Sequence, residues 1–384
     1  MSINNLKASS ISSQNPSNVS KKLTFIYALK GLASLAIVLF HLVAIPQPNL
    51  EIPVFLNVIK THFGLGVTLF FVISAYTLCL SAENRKFEDK KTLKFYIRRF
   101  FRIAPLFYVM LAFWMVIRLL IWSKQTSFLE FLSNVTFIFN FFPEYHTSIV
   151  WAGWTIGVEI LFYLIFPFLY SAINNFKRLF ILFLFTLGIA IISVHIILTL
   201  PNSPNSYTYM FFLSRFPIFI CGMIVFWIQK KISKLKESSK GNIEKFSFGL
   251  FILFIGLSII LVHSQPLFNA LPGAIVRIYT YIWAINFGIL INFLFLNSHR
   301  LIVNKFTCFY GKISYSLYLL HPFLIYALIP TYKRIYALNL DSQLVKLSIC
   351  MLITLAILTP LSMLTFRYIE KPGLNFGKRL ISRI

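Results

Sequence analysis

Apolar runs of about 20 residues recur along almost the whole chain, and no other feature constrains the fold as strongly. A helix needs roughly 20 consecutive apolar residues to cross the hydrocarbon core of a bilayer. The 384 residues are 58% hydrophobic and 12% charged, with a mean hydropathy of +0.77, outside the range of soluble globular domains. The sequence therefore predicts an all-α integral membrane protein, with about ten transmembrane helices in one bundle.

Short polar joints divide the apolar sequence into predicted spans. A further apolar piece, 128–142, is too short to cross the bilayer and is predicted to be re-entrant or interfacial. Residues 1–20 are rich in Ser and Asn and are predicted to be a disordered cytoplasmic leader, followed by a membrane domain over 21–373 and a basic cytoplasmic tail over 374–384. The predicted spans are 23–45, 62–82, 103–122, 151–173, 179–200, 209–229, 246–263, 274–296, 307–330 and 344–366.

The distribution of charge predicts the orientation in the membrane. The formal net charge is +25, and most of the 36 lysines and arginines fall on one side of the predicted spans. The positive-inside rule then places both termini in the cytoplasm. Anionic lipid headgroups are the expected partners of these cations, and no nucleic acid is needed to explain them. The four cysteines lie in apolar segments without paired spacing and predict neither a disulfide nor a metal site: Cys79, Cys221, Cys308 and Cys350.

Ionisable residues inside the predicted spans are the first candidates for function, because a charge in a bilayer needs a partner, a water-filled cavity or a role in chemistry. His41 follows Lys30 by eleven residues, about 16 Å and close to three helical turns, so both side chains point from one face. His41 and Glu159 fall in the outer half of the membrane. The remaining candidates are Arg215, Arg277 and His321.

Structural explanations compete with functional ones at each position. A membrane histidine can simply form an interhelical hydrogen bond. This structural explanation carries more weight for His321 than for His41. Glu159 and Arg215 can form an ion pair that holds helices together. The cationic cluster that contains Arg98 is ordinarily a topology signal.

Seven motifs follow one another along the spans. The first consists of a cation, ten residues and a histidine, and is formed by Lys30 and His41 in ALKGLASLAIVLFH. The others are GVTLFFVISAYTL with Ser74, FYIRRFFRIAPLFY with Arg98, Arg99 and Arg102, WTIGVEILFYLIFP with Trp154, Glu159 and Tyr163, SRFPIFICG with Arg215, GKISYSLYLLHP with Ser314, Tyr315 and His321, and YIEKP.

This series resembles the acyltransferase-3 family of bacterial integral membrane acyltransferases over about residues 23–373. The resemblance implies an enzyme of the inner membrane that transfers an acyl group, commonly acetyl from cytoplasmic acetyl-CoA, to a hydroxyl of a cell-surface or exported glycan. It implies acyl-CoA as a co-substrate, no bound cofactor, and a free or lipid-linked glycan as acceptor. The sequence departs from the family pattern where Lys30 replaces an arginine, Thr68 an aspartate and Ala75 a glycine.

The resemblance and the buried charges together suggest a role for each motif. A neutral imidazole of His41 can act as general base on the acceptor hydroxyl, or can carry the acyl group itself. Glu159 is expected either to orient that imidazole or to pair with Arg215. The cytoplasmic cations Lys30, Arg98, Arg99 and Arg102 are expected to bind the donor. The residues expected to line or support the pocket are Ser74, Trp154, Tyr163, Arg215, Ser314, Tyr315 and His321.

Two other functions are considered from the sequence. A transporter or flippase for a lipid-linked glycan also has many spans and buried charges, but such proteins commonly show inverted repeats, and none is found here. A glycan polymerase is expected to have a sizeable outer loop, and the outer joints of this chain are short.

Overall fold

The computed structural model describes residues 16–201, 204–235, 240–271, 273 and 277–384, and within these ranges the regular elements are helical. The all-α prediction is confirmed. A short π-helical turn, Phe366–Glu370, joins the last two helices. The helices are α1 Pro16–Ala44, α2 Val58–His62, α3 Gly66–Asn84, α4 Lys91–Trp122, α5 Phe128–Val135, α6 Trp154–Ala172, α7 Phe176–Thr199, α8 Asn205–Met210, α9 Phe212–Leu235, α10 Lys240–Asn269, α11 Ile278–Leu296, α12 Lys305–Lys312, α13 Ser314–Ala337, α14 Gln343–Thr365 and α15 Lys371–Ile381.

The predicted membrane spans correspond to the long helices. Among the described residues, nine helical stretches are long and apolar enough to cross a membrane, and a bent pair gives a tenth. That pair is α12 and α13, which meet at an angle of 76°, so the span predicted over 307–330 is not one straight helix. The bend lays α12 against α1, where a Cβ on Gly311 would stand only 1.8 Å from the Tyr27 carbonyl oxygen. Small residues permit this close approach of two helix backbones.

The short apolar piece 128–142 contains only the eight-residue helix α5 and a 3-10 turn, and it anchors two longer helices. Asn134 at the end of α5 is fully buried, and its side-chain oxygen accepts hydrogen bonds from the Ser148 hydroxyl and the Ile149 amide. This contact fixes the loop that leads into α6. Asn140 donates a hydrogen bond to the Met210 carbonyl and accepts one from the Phe212 amide, across the break between α8 and α9.

The two ends of the chain differ in what can be described. The first 15 residues of the predicted leader lie outside the described residues, and α1 begins at Pro16. The predicted tail over 374–384 lies largely within α15, which packs against the start of α4, where the rings of Phe101 and Phe376 are 5.1 Å apart. The π-helical turn that precedes α15 turns Glu370 into the bundle, where it is 1% exposed.

Candidate active site

A cavity inside the bundle brings most of the motif residues together. It lies between α1, α3, α4, α6 and α13, and the volume open to the centres of water molecules is about 110 Å³. Such a volume holds several ordered waters. Its polar lining consists of Lys30, Ser74, Thr77, Arg99, Arg102, Thr155, Glu159, Tyr163, Ser314, Tyr315 and Tyr318.

Glu159 is held in this cavity by two hydroxyl groups. The hydroxyls of Ser74 and Tyr163 each donate a hydrogen bond of 2.5 Å to Oε1 of Glu159. Tyr163 lies one turn after Glu159 on α6, so the two side chains share a helix face. Neither His41 nor Arg215, the two partners considered from sequence, forms a hydrogen bond with this carboxylate in the described structure.

Three cations share the cavity with Glu159. Lys30 comes from α1, and the guanidinium of Arg99 lies over the rings of Phe95 and Tyr163 at 5.7 and 5.8 Å. The Nε atom of Arg99 is buried and lacks a hydrogen-bond partner among the described residues. Arg102 is 3.5 Å from Glu370. The cavity therefore carries more positive than negative charge.

Arg98, although next to Arg99 in sequence, faces away from this cavity. Its guanidinium forms two hydrogen bonds with Glu88, of 3.0 and 2.8 Å, and it lines a second pocket near the start of α4. The hydrogen bonds from Arg98 hold the pKa of the Glu88 carboxyl below its usual range. Of the three arginines in the motif, two thus face the inner cavity and one faces the second pocket.

The two motif histidines meet beside the cavity. Nδ1 of His41 is 3.1 Å from Nε2 of His321 and 3.0 Å from the Ile37 carbonyl oxygen. His41 does not line the cavity, but Tyr318 does, and the Tyr318 ring centre is 5.5 Å from that of His321. Hydrogen bonds with Thr155 and the Ala152 carbonyl hold the Tyr318 hydroxyl. Tyr318 therefore connects the cavity to the imidazole pair.

Of the remaining motif residues, two line the cavity and two lie outside it. Ser314 donates to the Gly311 carbonyl, and Tyr315 donates to the Ile103 carbonyl of α4, so both bind neighbouring backbone from the cavity wall. Trp154 and Arg215 lie outside the cavity. Trp154 packs against Tyr209, and Arg215 donates to the Tyr209 carbonyl oxygen.

One protein family matches the sequence across the helices that carry the site. The model of a family described as an acyltransferase domain matches residues 23–366, from α1 to the π-helical turn. The chain belongs to the acyltransferase-3 family. The resemblance seen in the motifs is thereby confirmed.

Named relatives within the family are distant. The O-acetyltransferase OatA of Staphylococcus aureus strain NCTC 8325 / PS 47 is 26% identical over 316 residues, which are 74% of this chain and 51% of OatA. ORF330 of Acidianus two-tailed virus is 23% identical over 298 residues, 76% of this chain and 80% of that protein. The chain thus spans about half the length of the OatA proteins it matches. No solved structure matches it.

The structure shows what surrounds two of the three residues that depart from the family pattern. Ala75, in place of glycine, faces Gly222 of α9, where an added Cβ would lie 2.9 Å from the Ala75 Cβ. Because Gly222 has no side chain, the extra methyl group of Ala75 fits. Thr68, in place of aspartate, is buried, and its hydroxyl lacks a hydrogen-bond partner among the described residues.

Glu370, Tyr318 and Thr155 are site residues to which the sequence reasoning gave no role. Glu370 lies within the YIEKP motif, and a carboxylate next to an apolar span is the signal that could have identified it. It accepts a hydrogen bond from the Ser316 hydroxyl and faces Arg102. Tyr318 and Thr155 are uncharged, and their place in the site follows only from the packing of α6 beside α13.

Proposed function

We propose that the protein is a membrane O-acyltransferase that transfers an acyl group, with acetyl as the expected group, from cytoplasmic acyl-CoA to a hydroxyl of a cell-surface or exported glycan. The observation that carries this proposal is the cavity itself. Lys30, Arg99 and Arg102 line it, and Tyr318 joins it to the His41–His321 pair. The cavity thus holds cations suited to an anionic donor, and it adjoins, through Tyr318, a candidate base for the acceptor hydroxyl.

The donor is expected to approach from the cytoplasmic side. CoA carries phosphates, and clustered cations in a low-dielectric cleft attract and hold such groups. Arg99 suits this role because its guanidinium has an unused Nε donor in the cavity. Arg98, which pairs with Glu88 at the second pocket, is proposed to contact the donor before the donor reaches the cavity.

His41 is the proposed general base. We assign the proton of His41 to Nδ1, because the Ile37 carbonyl oxygen only accepts hydrogen bonds, and His321 Nε2, 3.1 Å from the same atom, is then an acceptor as well. This assignment leaves the Nε2 lone pair of His41 for the acceptor hydroxyl. His41 takes the hydroxyl proton as the acceptor oxygen attacks the thioester carbon. The bond to sulfur breaks, and the thiolate of CoA recovers the proton. Glu159 is proposed to orient the reacting groups through Ser74 and Tyr163.

The first test compares a deletion strain with its parent. Loss of ester-linked acyl groups from surface polysaccharides of normal length supports acyl transfer. Membranes that contain the protein should also move label from acetyl-CoA to glycan. Shortened or missing glycan would instead favour the polymerase or flippase considered from sequence, and unchanged ester content with no labelled product would refute the proposal.

A further inference from the structure

Arg215, which is buried, and Arg277, which is partly buried, form a pair of positive charges that the proposed reaction does not use. The guanidinium carbon of Arg215 lies 3.5 Å from the ring centre of Tyr209, and that of Arg277 lies 5.5 Å from the same ring. Arg215 is the fourth residue of α9 and Arg277 directly precedes α11. With the termini in the cytoplasm, both residues stand at the outer side of the membrane.

Neither charge is neutralised by a carboxylate of the described residues. Arg215 is 1% exposed, and its Nη2 atom has no hydrogen-bond partner there. Arg277 binds the Thr208 hydroxyl, but its buried Nε atom is likewise unpartnered within the described structure. The sequence contains no Asp or Glu between Glu159 and Glu237, or between Glu244 and Asp341.

Another arginine on the same side, Arg118, shows how this protein stabilises a buried charge that has only a structural role. Arg118, near the outer end of α4, is 7% exposed and forms an ion pair of 2.8 Å with Glu130 of α5. An unpaired charge in a low-dielectric interior costs several kcal/mol. Two such charges side by side, without the carboxylate that Arg118 has, indicate that the missing negative charge is supplied by a ligand.

The position of the pair relative to the cavity suggests which ligand this is. Trp154 packs on Tyr209 with ring centres 5.4 Å apart, and the next residue, Thr155, lines the cavity. Arg277 is partly exposed, so it is the residue that a ligand would meet first. Two aromatic side chains, Tyr209 and Trp154, thus separate a group bound here from the cavity proposed for acyl transfer.

We infer that Arg215 and Arg277 form an outer anion site that binds a phosphate or diphosphate group of the acceptor. Guanidinium groups bind phosphate oxygens through paired, charge-assisted hydrogen bonds, and a dianion balances two arginines. The identification of the ligand as the acceptor rests on the proposed function. The existence of the anion site does not, because it concerns binding alone.

The experiment measures binding without turnover. The full-length protein is placed in nanodiscs of phosphatidylcholine, and its thermal midpoint is recorded with and without inorganic pyrophosphate. The variants are Arg277→Gln and Arg277→Lys. The control is Arg334→Gln, which removes an exposed cation at the outer end of α13. A second set of nanodiscs contains phosphatidylglycerol, to separate a lipid headgroup from a soluble phosphate.

Pyrophosphate is expected to raise the midpoint of the wild type and of Arg334→Gln, with the apparent affinity reduced at least tenfold in Arg277→Gln and less in Arg277→Lys. Stabilisation only by phosphatidylglycerol, again lost in Arg277→Gln, would assign the same site to a lipid phosphate. If neither ligand gives stabilisation that depends on Arg277, the inference is wrong. If Arg277→Gln does not fold, Arg277→Lys decides. A negative acyl-transfer assay with positive anion binding would refute the proposed function alone.

Discussion

Lys30 has a primary amine where the family usually has a guanidinium, and it lies inside the cavity rather than at the membrane surface. An ammonium group retains the positive charge but not the planar fork that grips a phosphate or carboxylate at two points. Arg99 and Arg102, also in the cavity, have that fork. The departure at Lys30 is therefore tolerable if electrostatic attraction, rather than a bidentate contact, is what this position supplies.

Lys30→Arg is expected to preserve or raise acyl transfer, and Lys30→Ala to raise the KM for acetyl-CoA by about tenfold or more, because a charge-assisted contact is worth roughly 1.5–3 kcal/mol. Labelled acetyl transfer in isolated membranes measures both. Lys60→Ala, which removes an exposed lysine at the outer side, serves as the control. Wild-type kinetics in Lys30→Ala would rule out a donor-binding role.

His41→Ala is expected to lower the rate by about 10²- to 10⁴-fold, the usual contribution of a general base. His263→Ala is a closely matched control, because His263 forms the same bond from Nδ1 to the carbonyl four residues earlier, at 2.9 Å, but is exposed on α10. Both variants are compared at equal membrane content. Equal activity of His41→Ala and the wild type would refute the base assignment.

At the scale of helices, close backbone contacts set the shape of the cavity. A Cβ on Gly222 would stand 2.2 Å from the Val72 carbonyl oxygen of α3, two residues before Ser74. The contact of α12 with α1 through Gly311 likewise determines where α13 begins and hence where Ser314 and Tyr318 lie. The helices that carry the motif residues are thus positioned by the absence of side chains at a few points.

Gly222→Ala is expected to destabilise the protein by about 1–3 kcal/mol, the usual effect of overpacking. Gly256→Ala on α10 is the matched control, since nothing lies within 4 Å of its added Cβ. That change should be neutral or slightly stabilising, because alanine favours helix over glycine. Thermal midpoints in one detergent compare the two. Equal midpoints would show that α3 can move away from α9 without loss.

At the scale of the whole molecule, the placement of charge defines two chemically different faces. The face predicted to be cytoplasmic carries the long basic segments and α15, on which Lys378 is exposed. The face predicted to be outside carries fewer cations, including the Arg215–Arg277 pair. This asymmetry matches a reaction whose donor and acceptor are proposed to arrive from opposite sides.

Single cysteines introduced at exposed lysines test this orientation, after the four native cysteines are replaced by alanine. A membrane-impermeant maleimide should label Lys60→Cys and Lys333→Cys in intact cells. It should label Lys91→Cys and Lys378→Cys only after the membrane is permeabilised. The opposite result would reverse the topology and place the cavity cations on the wrong side for a cytoplasmic donor.

The sequence by itself determined the class of fold, the approximate spans, the family and most of the polar residues that share the cavity. These are local properties: the length of an apolar run and the order of short motifs do not depend on which helices become neighbours. The same reasoning predicted candidates at Lys30, Arg99, Arg102 and Glu159, because a charge within an apolar segment is conspicuous wherever the segment packs.

Tertiary structure alone decided which of these side chains contact one another. His41 and His321 are 280 positions apart, and only the packing of α1 beside α13 brings their rings to 4.9 Å. Glu159 meets Ser74 because α3 and α6 adjoin, whereas Tyr163 lies one turn along from Glu159 on α6 itself. The break between α12 and α13 at Ile313 is likewise not visible in the hydropathy of that segment. Hydropathy measures the transfer of each segment from water to lipid, whereas pairing depends on the fit of side chains between helices already in the membrane.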